Sequence, residues 1–271
     1  MTTMAISARD LSKKYDSGFA VSHANFEVPL GTICGFVGPN GAGKTTTIRM
    51  LLGLITPTGG TAEVLGESIT HPEKYLSRVG AMIEGPAFYP ALSGEENLKV
   101  LATLGGFPTE RVAELIKTVG LEGRGNSKYK TYSLGMKQRL GIAAALLPQP
   151  KVLVLDEPTN DLDLKTVGWL EDFLLNFKNT VIVVSHDRHF LDTVCTHICD
   201  IDFNKLNIFT GNYSFWYQSS QLAARQRADK NKKAEEKKKD LIDFIARFSA
   251  NASKSKQATS RRKMLDNLDI S

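Results

Sequence analysis

The residues that most directly suggest chemistry form a glycine-rich stretch near the N-terminus. Positions 38 to 45 follow the phosphate-loop pattern of Gly, four residues, Gly, Lys, and then Ser or Thr. Glycines let such a backbone turn tightly and bring its N–H groups against a polyphosphate, and the helix that follows adds its positive dipole end. An accidental glycine-rich turn is the alternative, but a flanking apolar strand and helix favour the phosphate loop. The candidate nucleotide-binding residues are Gly38, Pro39, Asn40, Gly41, Ala42, Gly43, Lys44, Thr45 and Thr46.

Charge and reach suggest roles for two residues of this loop. We expect Lys44 to lie along the β- and γ-phosphate oxygens of a bound ATP, which also makes it a candidate catalytic residue. We expect the Thr45 hydroxyl to coordinate the Mg²⁺ that bridges these phosphates. ATP and Mg²⁺ are therefore the expected cofactors.

Two adjacent carboxylates mark a second candidate centre. Asp156 and Glu157 follow the apolar run 152–155, which predicts a buried parallel strand, and ligands bind at the C-terminal ends of such strands. We expect Asp156 to hold Mg²⁺ through water and Glu157 to polarise the water that attacks the γ-phosphate. A simple helix start at Pro158 is the alternative, which the upstream phosphate loop disfavours.

His186 and Tyr15 are two further candidates. His186 follows the apolar strand 180–184, so its imidazole is expected at the same sheet edge, where it contacts the γ-phosphate or orients the water. A structural histidine is the alternative. Tyr15 lies in a turn-forming context, where its ring either stacks on an adenine or is an ordinary surface side chain. Spacing leaves both interpretations open.

Composition bounds the kind of protein. The chain has 271 residues, is 42% hydrophobic and contains no apolar run long enough for a membrane span, so we expect a globular, cytoplasmic protein. Three cysteines, Cys34, Cys195 and Cys199, fit a reducing compartment better than a disulfide framework. His197 lies between two of them, which leaves metal binding open beside a buried strand or helix edge.

Taken together and in order, these motifs resemble the nucleotide-binding domain of the ATP-binding cassette (ABC) superfamily. The resemblance covers residues 4 to about 210. It rests on the phosphate loop, a signature segment at 132–139, the carboxylate motif at 155–158, a D-loop at 160–163, and His186. It implies an α/β P-loop NTPase fold of ABC type, with an antiparallel β subdomain and a helical signature subdomain at about 90–148. We expect this domain to span 1–213 and a basic helical extension to span 214–271.

The resemblance also implies a partner. In this family two cassettes pair head to tail, and the signature segment of one closes on the γ-phosphate held by the other. Ser133 and Gly135 are the matching residues here, and Asp163 is the expected dimer contact. A second cassette, identical or different, is therefore expected, and the implied activity is ATP hydrolysis by the cassette dimer.

Two subgroups of the family share the resemblance. Residues 1–157 resemble bacitracin-type exporter ATP-binding subunits, in which the signature carries Leu134 and Glu84 replaces the usual Gln as a candidate metal ligand. Residues 158–271 resemble instead the first cassette and linker of the ribosome-associated ABC-F proteins. The chain thus reads as a mosaic joined within residues 155–160.

The C-terminal extension carries the excess positive charge. Residues 222–271 hold 14 lysines and arginines against 7 acidic residues, a net of +7, whereas the whole chain has a net charge of +5. The sequence predicts one helix over 214–247 and a helical hairpin with 264–268 across a basic tip at 249–263. A solvated charged helix and an RNA-contacting arm are the two interpretations.

These observations leave two functions, beside a third possibility in which a mosaic chain binds ATP and does nothing further. The preferred one is the energising subunit of an exporter-type transporter, which needs a separate membrane-spanning subunit and lies peripherally on the inner face of the membrane. The alternative is part of an ABC-F-like translation or resistance factor that binds the ribosome or RNA through residues 214–271.

Overall fold

The computed structural model describes residues 3–83, 87–202, 205–248 and 260. The chain divides into two compact units, Met1–Ser214 and Phe215–Ser271. The strands are, in chain order, β1 Met4–Tyr15, β2 Gly18–Pro29, β3 Ile33–Val37, β4 Gly59–Val64, β5 Glu67–Ser68, β6 Val79–Met82, β7 Val152–Asp156, β8 Thr180–Val184, β9 His197–Asp202 and β10 Lys205–Thr210. The helices are α1 Lys44–Leu51, α2 Gly94–Gly105, α3 Val112–Thr118, α4 Leu134–Ala145, α5 Leu164–Leu175, α6 Arg188–Val194 and α7 Tyr213–Phe248.

The larger sheet positions the candidate chemistry. Its strand order is β10-β9-β3-β8-β7-β6, and neighbours from β9 to β6 run parallel. Every residue of β3, β7 and β8 is buried, as expected for parallel strands covered on both faces. In this register Val184 pairs with both Phe36 and Asp156, so β3, β7 and β8 end side by side. The loops that follow these strands therefore leave the sheet at one edge.

The smaller sheet is antiparallel, in the order β2-β1-β4-β5. Its first two strands have 12 residues each. Register shifts interrupt the pairing of these strands, and Asp10 and His23 adopt positive φ near the shifts. One buried cluster includes residues of both sheets, with Phe26 packed edge-on against Phe36 at 6.0 Å.

The segment between β6 and β7, two strands of the larger sheet, is helical, as the sequence predicts. Helix α2 begins with a capping box: Ser93 Oγ accepts the Glu96 N–H at 3.1 Å, and the Glu96 carboxylate accepts the Ser93 N–H at 2.7 Å. These hydrogen bonds lower the pKa of Glu96, the one donated by the Ser93 backbone most of all. Helices α3 and α4 follow, and α4 carries the signature segment.

The cysteines are core residues. Cys34, Cys195 and Cys199 are all buried thiols without a disulfide. Burial raises the pKa of the Cys195 and Cys199 thiols. Within the ranges that the structure describes, no cluster of three ligand-type side chains suits a metal ion. Cys195 follows α6 and Cys199 lies on β9, and both are buried there.

The second unit contains all but the first two residues of helix α7, which has 36 residues and matches the predicted helix at 214–247. Its charged side chains from Lys232 to Asp240 are exposed. None of the helices in the described part of the chain combines the length and the apolarity that crossing a bilayer requires. The predicted hairpin partner at 264–268 and the basic tip at 249–263, apart from Ser260, lie outside the described residues.

Candidate nucleotide site

The phosphate loop connects β3 to α1, and its glycines have backbone angles that few other residues adopt. Gly38, Gly41 and Gly43 have φ values of 150°, 82° and 96°. A Cβ at Gly38 would lie 2.2 Å from the Ile201 carbonyl oxygen, and one at Gly43 would lie 2.3 Å from the Ala20 carbonyl oxygen. Glycine is therefore needed here for both conformation and close backbone packing.

Lys44 is held inside this loop. Its Nζ donates hydrogen bonds to the carbonyl oxygens of Gly38 at 2.8 Å and Pro39 at 3.1 Å, and the residue is only 8% exposed. Burial lowers the pKa of Lys44, while the negative charges of Glu157 and Asp156 act in the opposite direction. A buried ammonium next to two carboxylates is well placed to attract an anionic phosphate.

Asp156 and Thr45 form the oxygen-rich corner of the site. Asp156 ends β7, is 8% exposed, and accepts a hydrogen bond from Thr45 Oγ1 at 3.1 Å. Mg²⁺ commonly takes one or two protein oxygens and completes its octahedron with phosphate oxygens and water. A hydroxyl and a carboxylate that already lie within hydrogen-bond distance fit that ion.

Glu157 lies in a strained backbone position beside His186. Its φ is 50°, which is uncommon for a residue with a side chain. One carboxylate oxygen, Oε1, lies 3.2 Å from His186 Nε2. The other, Oε2, is buried and has no hydrogen-bond partner among the described residues. A buried acceptor without a partner is costly unless a ligand or water completes it.

A cavity of about 580 Å³ joins these groups. It brings together six of the nine predicted phosphate-loop residues, the two carboxylates Asp156 and Glu157, and His186. The other three loop residues, Gly38, Pro39 and Ala42, are not among the lining residues. Sequence reasoning gave no nucleotide role to Ala20, Asn160 and Val184, which contribute to the wall because β2, the D-loop and β8 all reach this edge. The lining residues are Ala20, Asn40, Gly41, Gly43, Lys44, Thr45, Thr46, Asp156, Glu157, Asn160, Val184 and His186.

Other predicted residues lie elsewhere. Tyr15 ends β1, is 44% exposed, and its ring centroid lies 5.3 Å from Lys13 Nζ. It is not among the lining residues, so its contact with adenine stays a prediction. Glu84, the predicted metal ligand, lies outside the described residues.

The signature residues also lie away from this cavity. Ser133 caps α4 by accepting the Met136 N–H at 3.3 Å, and neither it nor Gly135 lines the wall. A Cβ at Gly135 would lie 2.6 Å from Thr166 Oγ1, so α4 approaches α5 closely at this point. Asp163 caps α5 by accepting the Thr166 N–H at 2.9 Å, which is the main cause of its lowered pKa.

Comparison with known proteins agrees with this geometry. A family profile described as "ABC transporter" matches residues 21–160, and a second with the same description matches 199–271. The chain belongs to the ABC transporter family. Within it, the chain is 44% identical to the bacitracin transport ATP-binding protein BcrA of Bacillus licheniformis, over 74% of the chain and 68% of BcrA. A solved structure of an ATP-binding subunit of an ABC transporter superposes with a TM-score of 0.68 at 27% identity, covering 77% of this chain and 90% of that one.

The ABC cassette also has a longer relative. It is 42% identical to the uncharacterized ABC transporter ATP-binding protein YkpA of Bacillus subtilis, over 98% of this chain. The chain spans only 54% of YkpA, about half of that protein. This match runs through residues 155–160, where the sequence predicted a join between subgroups. The ABC-F resemblance of the back half stays a prediction.

Proposed function

We propose that this cassette binds ATP with Mg²⁺, hydrolyses it, and energises an exporter-type transporter. The observation that carries the proposal is the single cavity in which Lys44, Thr45, Asp156, Glu157 and His186 meet at the ends of three adjacent strands. Similarity to BcrA supports the exporter class. A membrane-spanning subunit on a separate chain is the proposed partner, which would place the cassette peripherally on the inner face of a membrane.

Ground-state binding of ATP falls to the phosphate loop. Loop N–H groups and the N-terminus of α1 receive the phosphates, and Lys44 neutralises the β- and γ-phosphate charge. Thr45 and Asp156 would hold Mg²⁺, which supplies electrostatic stabilisation of the charge that develops on the phosphate oxygens. These residues set affinity because they meet charge that is already present before reaction.

Turnover falls to Glu157 and His186. The Oε2 atom of Glu157 is buried and lacks a hydrogen-bond partner among the described residues. We assign it the role of accepting a proton from the attacking water. His186, 3.2 Å from Oε1, orients that carboxylate and reaches toward the γ-phosphate. Both act on the reaction rather than on ATP binding.

A second cassette is part of this proposal. Ser133 and Gly135 lie outside the cavity of their own chain, and the N-terminus of α4 presents them together. We assign them to the γ-phosphate held by the partner cassette, with Asp163 at the contact between the two. One chain thus supplies half of each of two sites.

Mixing two inactive variants tests the shared site. Lys44→Ala damages the phosphate loop and leaves the signature segment intact, whereas Ser133→Arg does the reverse. Each variant alone should be inactive. An equimolar mixture should recover up to about a quarter of wild-type phosphate release, because half of the dimers are mixed and each has one intact site.

The control is a mixture of Lys44→Ala with Lys44→Ala/Ser133→Arg, in which no dimer has an intact site. Recovery in that mixture, or no recovery in the first, would contradict a site shared between chains. Full specific activity from a demonstrably monomeric sample would contradict it as well.

A second candidate function rests on α7. The lysines at 237–239 are exposed on this helix, and clustered exposed lysines favour binding of a polyanion such as ribosomal RNA. In that case the cassette would be part of an ABC-F-like factor. Truncation of the C-terminal extension 214–271, called the arm, separates the two functions.

A further inference from the structure

A side-chain contact links the signature helix to the residue that follows Glu157. The Gln138 carboxamide, on α4, donates a hydrogen bond from Nε2 to the Pro158 carbonyl oxygen at 3.0 Å. The two residues are 20 positions apart, and the contact is partly buried. Neither Gln138 nor Pro158 lines the nucleotide cavity. This contact therefore has no direct role in lining the nucleotide cavity.

The contact lies next to the most constrained backbone position of the site. Glu157 has a φ of 50°, and proline follows it. A residue that precedes proline already has fewer allowed conformations, and positive φ is uncommon for any residue with a side chain. Such a conformation persists only where surrounding contacts hold it.

Three restraints on this turn come from the turn itself and from β8 and its following loop. The Glu157 N–H donates to the Val184 carbonyl at 2.9 Å, and the Asn160 N–H donates to the Glu157 carbonyl at 3.3 Å. The Thr159 and Ser185 hydroxyls lie 2.8 Å apart in a buried hydrogen bond. Gln138 adds a fourth restraint, from helix α4. This helix precedes the turn in the sequence, whereas β8 follows it.

Helix α4 is itself fixed near the start of α5. The Arg139 guanidinium carbon lies 4.3 Å from the Trp169 ring centroid, and Gly135 allows close approach to Thr166. Gln138 therefore projects from a helix that packs on α5 three residues before it, at Gly135, and one residue after it, at Arg139. Its amide meets Pro158 from a fixed point rather than from a mobile surface.

We propose that Gln138 is a positioning residue for hydrolysis. Its carboxamide fixes the Pro158 carbonyl and thereby holds the strained turn that aims the Glu157 carboxylate. This inference rests on the proposed ATPase function. It adds that the helix presenting Ser133 and Gly135 to a partner also sets the geometry of the catalytic carboxylate in its own chain.

Removing the amide donor tests the proposal. Gln138→Met keeps a side chain of similar length without the donor. Loss of one such hydrogen bond should lower kcat about three- to tenfold. The KM for ATP should stay within about twofold, because the phosphate loop binds ATP independently of this contact. Gln218→Met, on the exposed face of α7, is the matched control and should leave both values unchanged.

A second variant uses pH. Gln138→Glu preserves the shape but places a carboxylate against a carbonyl oxygen, and only the protonated carboxyl can donate a hydrogen bond. Its kcat relative to wild type should therefore recover as the pH falls from 6 toward 4.5, where a carboxyl with the ordinary pKa of about 4.3 begins to be protonated. A merely structural role, in which only shape matters, gives a ratio that does not change with pH and contradicts the proposal.

Hydrogen exchange supplies a readout that needs no turnover. In ATP-free protein, Gln138→Met should speed exchange of the Asn160 amide, which bonds to the Glu157 carbonyl. Unchanged exchange at this amide would overturn the proposal. If wild-type protein failed to hydrolyse ATP, the proposed function would fall, while the exchange measurement would still decide whether Gln138 holds the turn.

Discussion

The cassette and the arm use the same charged residue types in opposite ways. In the cassette, Lys44 and Asp156 are each 8% exposed and lie against the ends of buried strands. On α7, the lysines at 237–239 and their acidic neighbours are exposed. Burial strengthens the interaction between charges and makes their positions costly to change, whereas water and salt weaken charges on an exposed helix.

This difference in burial separates the residues that take part in the reaction from the residues that only attract a charged partner. Lys44 and Glu157 are each held by specific hydrogen bonds or backbone restraints, so a single substitution should have a large effect. The arm acts through its summed charge, so its effect should be spread over many residues. The predictions below test this contrast.

The largest effect is expected at Glu157. Glu157→Gln keeps the size of the side chain but removes the base, so phosphate release should fall by about 100-fold or more while ATP binding remains. Glu110→Gln, on the exposed surface, is the control. Hydrolysis by Glu157→Gln at the wild-type rate would remove Glu157 from its role.

Lys44→Ala should show the complementary pattern. Because Lys44 meets phosphate charge in the ground state, tight ATP binding should be lost, and hydrolysis with it. Nucleotide titration measures the change, and Lys178→Ala removes an exposed lysine as the control. Wild-type affinity in Lys44→Ala would show that the buried ammonium does not bind the phosphates.

The contrast between the two regions also explains how much the sequence predicts. Apolar runs 152–155 and 180–184 predict the buried strands, and the polar residues directly after them meet at one edge because parallel strands end together. The fold class and most of the cavity follow from this rule. Helix α7 follows from its long charged segment, which contains no glycine or proline.

Contacts between distant segments are what the sequence does not predict. The bond from Gln138 to Pro158 and the Thr159–Ser185 pair depend on how α4 and β8 approach the same turn. The positive φ of Glu157 is equally hidden, since nothing in the residue type favours it. Such features arise from packing, which local pattern does not encode.

The arm is expected to give an intermediate effect. Cutting the chain after Tyr213 leaves the cavity residues in place, so ATP binding should survive. The full chain should bind structured RNA with an affinity that falls at least 100-fold between roughly 50 and 200 mM salt, and the truncated chain should not bind.

A full-length control sharpens this test. Replacing Lys237, Lys238 and Lys239 with Gln keeps the helix but removes three charges, and should flatten the salt dependence. If the full chain ignores RNA at low salt and co-purifies with a membrane protein instead, the exporter function stands alone. RNA binding by the truncated chain would contradict the assignment of attraction to the arm.

The smallest effect concerns a polar group that the cassette core must keep uncharged. Tyr75 is fully buried, and its hydroxyl donates to the Leu51 carbonyl at 2.8 Å. Burial, helped by the nearby charge of Glu73, raises the pKa of Tyr75 from 10.0 to about 12. A raised folded-state pKa means that the stabilisation is fully present below pH 10 and is lost as the pH rises from 10 through 12. At pH 11, midway between the two pKa values, this effect lowers the free energy of unfolding by about 1.4 kcal/mol, or tenfold in the unfolding equilibrium, because Tyr75 ionises more readily in the unfolded chain.

Tyr75→Phe isolates this effect. At pH 8 the variant should be about 1 kcal/mol less stable, because the Leu51 carbonyl loses its donor. Between pH 8 and 11 that deficit should shrink or reverse, since Phe does not ionise. Urea unfolding at both pH values measures it, and Tyr89→Phe, at an exposed tyrosine, should follow the wild type throughout. A Tyr75→Phe deficit that stays constant with pH would show that the core does not resist ionisation of Tyr75. The contrast between a core that excludes charge and an exposed charged arm would then be supported only by the buried residues of the nucleotide site.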